Sequence, residues 1–121
     1  MNIDLLAKML EEITEVSKFL QSEYDMEGIA LTDRIRKLNG FHARLPEIVA
    51  TLDYITYAAK ATASEELADM KYPASIMKIK IEGRCKNELK AQKFAERLDS
   101  ACVHQMDGLR SQLSYLKSLS D

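Results

Sequence analysis

The stretch PASIMKIKIEGRCKNELKAQKFAERLDSACVHQMDGLRSQLSYLKSLSD, residues 73–121, has no proline after Pro73 and only two glycines, Gly83 and Gly108. Apolar residues recur through it at helical spacing almost to its end, the pattern of a helix with one buried face. As a single helix of about 45 residues at ~1.5 Å per residue, it would be roughly 65–70 Å long. A compact globule built from a chain of this length would be only about 35 Å across. The stretch therefore predicts an elongated, all-α protein.

Upstream of it, Leu45, Ile48, Leu52, Ile55, Ala59 and Thr62 step three or four apart, a heptad-like seam that fades into alanine. This helix should stop before Tyr72-Pro73, because the residue preceding a proline is disfavoured in helical geometry. Thr32-Asp33 can cap a shorter helix carrying Ile35 and Leu38. Asn39-Gly40 then interrupts it, and Pro46 either lies in the first turn of a new helix or kinks a continuous one. At the N-terminal end, Ile3, Leu6, Leu10, Ile13, Val16 and Leu20 mark another amphipathic helix, with Gly28 suited to the left-handed residue after it. The expected fold is an elongated, coiled-coil-like hairpin of two long antiparallel helices plus an N-terminal helix. It forms one domain over 1–121: an N-terminal helix in 1–27, a broken and then long helix in 32–72, and a long C-terminal helix in 73–120.

Composition agrees with few, long elements. The 121 residues include only 4 Gly and 2 Pro, too little punctuation for a sheet protein. Hydrophobic residues make up 46% and charged residues 30%, which argues against disorder. No run of ~18 apolar residues is present to span a membrane, and Asp4 and Lys8 break the first apolar cluster, so a cytoplasmic protein without a secretory leader is expected. Cys85 and Cys102, if on one helix, lie ~25 Å apart by rise. They cannot form a disulfide within that helix and read as small hydrophobes.

Net charge is −2 but unevenly placed. Residues 1–70 carry 7 basic and 13 acidic side chains, and residues 71–121 carry 10 basic and 6 acidic, giving −6 and +4. An acidic N-terminal helix packed beside a basic C-terminal one accounts for this most simply.

On a helical wheel, Ala91, Phe94, Ala95, Leu98, Ala101, Cys102, Met106, Leu109, Leu113 and Leu116 fall within about 140°. Ile81, Cys85 and Leu89 form a separate line roughly 100° away. The two halves of the last helix should therefore meet different neighbours. A helix over 45–70 spans only ~40 Å and would leave part of a longer partner uncovered. Self-association through Leu98, Cys102, Met106, Leu109, Leu113 and Leu116 is the expected consequence, making the protein a homo-oligomer. A competing arrangement has the N-terminal helix cover the remainder.

Lys86, Lys90, Lys93 and Arg97 share one face within about 60°. Together with Lys78 and Lys80 they form a candidate nucleic-acid surface, since such a stripe can follow a phosphate backbone. The alternative is a solvated face whose lysine stems cover apolar edges. His104 and Asp107 are too few to hold a metal, and neither His42 nor His104 has a glutamate three residues before it, as helical di-metal sites require. No phosphate-cradling glycine loop, zinc-type Cys/His pairing or nucleophile elbow occurs. No catalytic residues, metal or cofactor are therefore expected.

The last helix reads Ala95-Glu96-Arg97-Leu98-Asp99, then His104, then Asp107 to Lys117. Its ending, Leu-Arg-Ser-x-Leu-Ser-x-Leu-Lys over 109–117, resembles that of small helical proteins encoded by phages and integrated elements. Over 45–117 the plan loosely resembles phage recombination mediators, which load a recombinase onto single-stranded DNA as ring oligomers. The resemblance implies a helical, oligomeric protein and carries no catalytic motif. Two functions are expected: a non-enzymatic, self-associating interaction or scaffold protein with a protein partner, or a nucleic-acid accessory factor for single-stranded DNA.

Overall fold

The computed structural model describes residues 2–120, all helices and short connections. Helix α1 is Asn2–Gln21, α2 is Gly28–Leu67, a 3-10 turn covers Ala68–Met70, α3 is Ala74–Arg84 and α4 is Lys86–Ser120. The chain is all-α, and the long helices α2 and α4 pack together as an antiparallel hairpin. Cross-links fix the direction. Along α2, Arg34, His42 and Asp53 meet Gln105, Asp99 and Gln92 in falling order. Helix α1 runs antiparallel to α2, since Phe19 lies at Arg34 and Glu12 at Arg44. It is therefore parallel to α4, and the three make an up-down-up bundle.

The core obeys heptad arithmetic. Met9, Ile13 and Val16 from α1 are buried with Leu31, Leu38, Leu45, Ile48, Leu52 and Ile55 from α2, and with Ala91, Ala95, Leu98, Cys102, Met106 and Leu109 from α4. Each fully buried large aliphatic side chain contributes about 1.5–3 kcal/mol. Alanines at 91 and 95 let α4 come close where α2 and α1 present larger residues. The hydroxyl of the buried Thr56 donates to Leu52 O at 2.7 Å, so it leaves no unmet bond.

Two expected breaks are placed differently. Helix α2 runs without interruption through Asn39-Gly40 and Pro46, where a short helix and a restart were expected. All three of these residues are exposed, and the buried stripe Leu31-Leu38-Leu45-Ile48-Leu52 continues past them on the opposite face. An interior proline disfavours a helix by ~3 kcal/mol, mostly through one lost bond and one clash. Here that loss falls on the solvent side, and burial on both sides of it holds the helix straight through. Gly28 is likewise the first residue of α2, after Glu27 in extended geometry, and no glycine has a positive φ.

The C-terminal stretch, expected as one helix, is two. Helix α3 ends at Arg84, and Cys85 (φ −107, ψ 16) turns the chain before α4 begins. The Cys85 amide donates to both Ile81 O and Glu82 O, at 3.2 and 3.1 Å. Neither proline nor a left-handed glycine causes the turn. Its position is that of the changed apolar line at Ile81-Cys85-Leu89: α3 packs against the end of α2, where Ala63, Leu67 and Cys85 are buried apart from the main core. The left-handed residue that ends the preceding 3-10 turn is Lys71, φ 54.

Lengths then change meaning. Because α2 has 40 residues and α4 has 35, they are about 60 and 52 Å long. Helix α2 starts beside Leu113 and reaches α3 at its other end, so it runs along the buried stripe of α4, and the shortfall that required a second chain disappears.

A buried arginine fixes the remaining helix. Arg34, 5% exposed, donates from Nε to Gln105 Oε1 at 2.7 Å, and from its terminal nitrogens to Phe19 O at 2.7 Å, Leu20 O at 3.3 Å and Ser22 Oγ at 3.1 Å. Gln105 Nε2 also donates to Leu20 O, at 3.2 Å. The guanidinium lies 4.4 Å from the Phe19 ring centroid and 4.2 Å from that of Tyr24. It thus satisfies the last carbonyls of α1, where the helix dipole is negative, and holds the 22–27 connection through Tyr24. Replacing Arg34 with Met should cost about 2–4 kcal/mol, because it removes four hydrogen bonds at a buried site and leaves Gln105 Oε1 without its protein donor. Arg34→Lys should not restore the loss, since one ammonium cannot reproduce the planar fork. Urea unfolding followed by circular dichroism measures both; wild-type stability in Arg34→Met would refute the role.

Candidate interaction surface

The expected self-association stripe is used inside the chain. Leu98, Cys102, Met106 and Leu109 are 6%, 0%, 3% and 3% exposed, and Leu113 and Leu116 pack half-buried on the same core. Helices α1 and α2 of the same molecule cover them, which corrects the expectation that this face binds a second copy. The physical reason is the extra length of α2, whose start at Gly28 lies beside Leu113. A charge at Leu109 should therefore unfold the protein rather than dissociate it: Leu109→Asp is expected to cost more than about 3 kcal/mol. Thermal melting tests this, and a folded Leu109→Asp chain with a changed sedimentation mass would reverse the assignment.

The basic residues have a different fate. Lys86, Lys90, Lys93 and Arg97 are exposed along α4, and among the described residues none forms an ion pair. Helix α1 does lie beside α4, but their contact is apolar apart from the Gln105–Leu20 hydrogen bond and carries no charge pair. Glu12 turns to Arg44 on α2, at 2.8 Å, and no ion pair among the described residues joins α1 to α4. The expected neutralisation of a basic helix by an acidic one does not occur there. Lys78 and Lys80 sit on α3, across the turn at Cys85, with Lys80 Nζ 5.7 Å from the Tyr72 ring centroid. They do not line the groove that holds Lys90, Lys93 and Arg97.

That groove separates the first half of α1 from the first half of α4. Leu6, Leu10, Ala91 and Phe94 form its floor; Asn87, Lys90, Lys93 and Arg97 complete its lining; and its volume is about 580 Å³. Leu10 and Phe94 are each 39% exposed, so apolar surface remains for a ligand to cover. The basic stripe is legible in the sequence. Leu6 and Leu10 do not stand out there as part of a site, because they also belong to the periodic stripe of α1. Their signal is an off-centre wheel position: Leu10 lies about 100° from the buried Met9 and 120° from Val16.

Elsewhere the structure offers little chemistry. Among the described residues no three His, Cys, Asp or Glu side chains gather as a metal site. His42 Nδ1 and Asp99 Oδ1 are 2.6 Å apart and tie α2 to α4, while His104 is exposed on α4. Glu88 Oε2 is buried without a protein partner beside a cavity of about 260 Å³, which is large enough for water. Both cysteines are free and buried. Burial, with a smaller contribution from Asp99, pushes the Cys102 thiol up to about 11; burial, and after it Glu88, raises Cys85. The folded state therefore favours protonated thiols. Since the unfolded thiol titrates near ~8.5, the stability associated with Cys102 is complete below that pH and is lost as pH rises toward about 11. Cys102→Ala should flatten this alkaline decline in urea midpoints; an unchanged slope would show that Cys102 does not contribute to it.

No known family model, curated protein or solved structure matches the chain. No helix among the described residues is long and apolar enough to cross a membrane. The groove and its unpaired cations are thus the features from which a function can be argued.

Proposed function

We propose that this chain is a non-enzymatic, self-associating helical interaction protein of the cytoplasm, and that the α1–α4 groove receives an acidic amphipathic helix from a partner protein. One observation carries this reading: an apolar floor of Leu6, Leu10 and Phe94 lies beside cations, Lys90, Lys93 and Arg97, that have no ion-pair partner among the described residues. A partner helix with apolar residues at i, i+3 and i+7 would seat them on the floor. Its carboxylates would lie over the three cations. Exposed ion pairs add only about 0.2–1 kcal/mol each, so the apolar contact supplies most of the affinity and the charges supply orientation.

A second reading has its own support. Lys86, Lys90, Lys93 and Arg97 extend over about 16 Å of one helix, free to contact phosphates, with Phe94 alongside. This favours a nucleic-acid accessory factor of the recombination-mediator kind, with single-stranded DNA as ligand. The two readings make opposite demands on the floor and on salt.

The test uses the full chain with two probes: a synthetic amphipathic helix bearing leucines flanked by glutamates, and a single-stranded oligonucleotide. Anisotropy is read between roughly 50 and 200 mM salt. The peptide reading expects Phe94→Ser and Leu10→Ser each to weaken peptide binding about tenfold, or ~1.4 kcal/mol, with modest salt dependence. The DNA reading expects a logarithmic salt slope of about −0.7 per phosphate contacted and a large loss in Lys90→Glu/Lys93→Glu. Failure of both probes at the lower salt would remove the groove as a ligand surface.

A further inference from the structure

The outward face of α2 carries a second pattern, distinct from the buried one. Glu47, Ala50, Tyr54, Tyr57, Ala61 and Ser64 succeed one another in steps of three and four, and all are exposed. They occupy about 100° of the helix surface, roughly opposite the buried stripe through Leu45, Ile48, Leu52 and Ile55. Tyr54 is 62% and Tyr57 75% exposed, large side chains on a continuous helix that the rest of the molecule leaves uncovered. Alternation of three and four is the spacing of a helix seam that meets another helix. Small residues on both sides of the tyrosines permit close approach.

We infer that two copies of this chain pair through this face of α2, antiparallel, about a two-fold axis between Tyr54 and Tyr57. The inference rests on the reading of the protein as self-associating and names the surface that reading lacked.

The sequence is self-complementary only in that direction. With the axis midway between 54 and 57, Tyr54 meets the partner's Tyr57, Ala50 meets the partner's Ala61, and Glu47 meets the partner's Ser64. Each match occurs twice, as an isologous contact requires. The flanking position before each seam residue sharpens the choice. Asp53 precedes Tyr54 and Lys60 precedes Ala61, and such positions face each other across an antiparallel pair. Asp53 therefore faces the partner's Lys60, and Lys60 faces the partner's Asp53. Among the described residues Asp53 accepts one side-chain bond, from Gln92 at 3.1 Å, and Lys60 has no ion pair. A parallel pair would stack Tyr54 on Tyr54 and set Asp53 opposite Ala58, losing that match. Glu47 can enter the edge of the seam because Arg44 already neutralises it at 2.8 Å. Between Tyr57 and Leu89 of α4 a cavity of about 540 Å³ leaves room for the stem of the partner's Lys60.

The size is sufficient. A tyrosine can bury roughly 150–250 Å², so the exposed parts of four tyrosines provide about half of the ~1,000 Å² that a specific interface should exceed. Alanines, Thr51 and the charged flanks add the remainder along about 26 Å of helix.

Sedimentation equilibrium of the full chain at micromolar concentration tests the inference, with circular dichroism as the check on folding. The expected mass is twice 13.7 kDa. Tyr54→Asp/Tyr57→Asp should remain helical and raise the dimer dissociation constant at least ~100-fold, about 2.7 kcal/mol. Asp53→Lys should weaken pairing, and Asp53→Lys/Lys60→Asp should restore it. Oxidation of a mixture of Ala50→Cys and Ala61→Cys chains should give a cross-linked pair, with neither variant cross-linking alone. A wild-type dimer untouched by the tyrosine changes would overturn this surface and leave self-association standing. A wild-type monomer would overturn both. Cross-linking of Ala50→Cys with itself would overturn the antiparallel arrangement.

Discussion

A single guanidinium holds the bundle at the point where three helices and a connection converge. Arg34 has no carboxylate partner among the described residues; its charge is met by carbonyl oxygens at the end of α1, by the Gln105 side chain and by the faces of Phe19 and Tyr24. Burial depresses its affinity for the proton, yet an arginine stays charged in any accessible pH range. That permanence suits its task, because the acceptors it serves are backbone groups whose dipoles do not titrate. Without it the Phe19 and Leu20 carbonyls would keep only the donors of Ser22 and Gln105, and Gln105 Oε1 would lose its protein donor, so the tie between α1, α2 and α4 would be cut. With it, α1 is set along α4 at one height, and the groove between Leu10 and Phe94 acquires a fixed width.

Periodicity reveals the helices because a buried stripe must repeat at the helical period, whatever lies on the other face. Punctuation is less informative. Gly40 and Pro46 look like breaks in one dimension, but they fall on solvent-facing positions of α2, where a missing side chain or amide disturbs no packing. Conversely, Cys85 carries no breaker signal, and the chain turns there because its neighbours change. The shift of apolar line between Ile81-Cys85-Leu89 and Ala91-Ala95-Leu98 is readable. That the shift is accommodated by a turn rather than by a curved helix depends on how the end of α2 receives α3, which is a tertiary property.

The candidate site is half legible for a similar reason. Exposed cations at i, i+4, i+7 and i+11 are visible in any helix, and their freedom from ion pairs depends on where α1 points its carboxylates. The wheel assigns Leu98 through Leu116 to an apolar stripe correctly, but apolarity does not say which chain covers it. That depends on the length of α2, and hence on whether Gly40 and Pro46 interrupt it. One misplaced break thus moves an interior surface to the exterior.

Charge separates the remaining surfaces. The acidic and basic parts of the chain are joined by only one Lys or Arg to Asp or Glu pair among the described residues, between Glu66 and Arg84 at the far end of α2. The rest of the basic charge on the first half of α4 is left facing solvent, next to an apolar groove. In the inferred pair, the outer face of α2 would instead set Asp53 of each copy against the partner's Lys60 across its tyrosine seam. A surface that is neutral and self-complementary favours its own copy, whereas a surface of one sign repels its own copy and selects an anionic ligand. The two faces can therefore be occupied at once. A pair formed through α2 would present two basic grooves, and an anionic partner with two binding segments would gain avidity from both without any change in either groove.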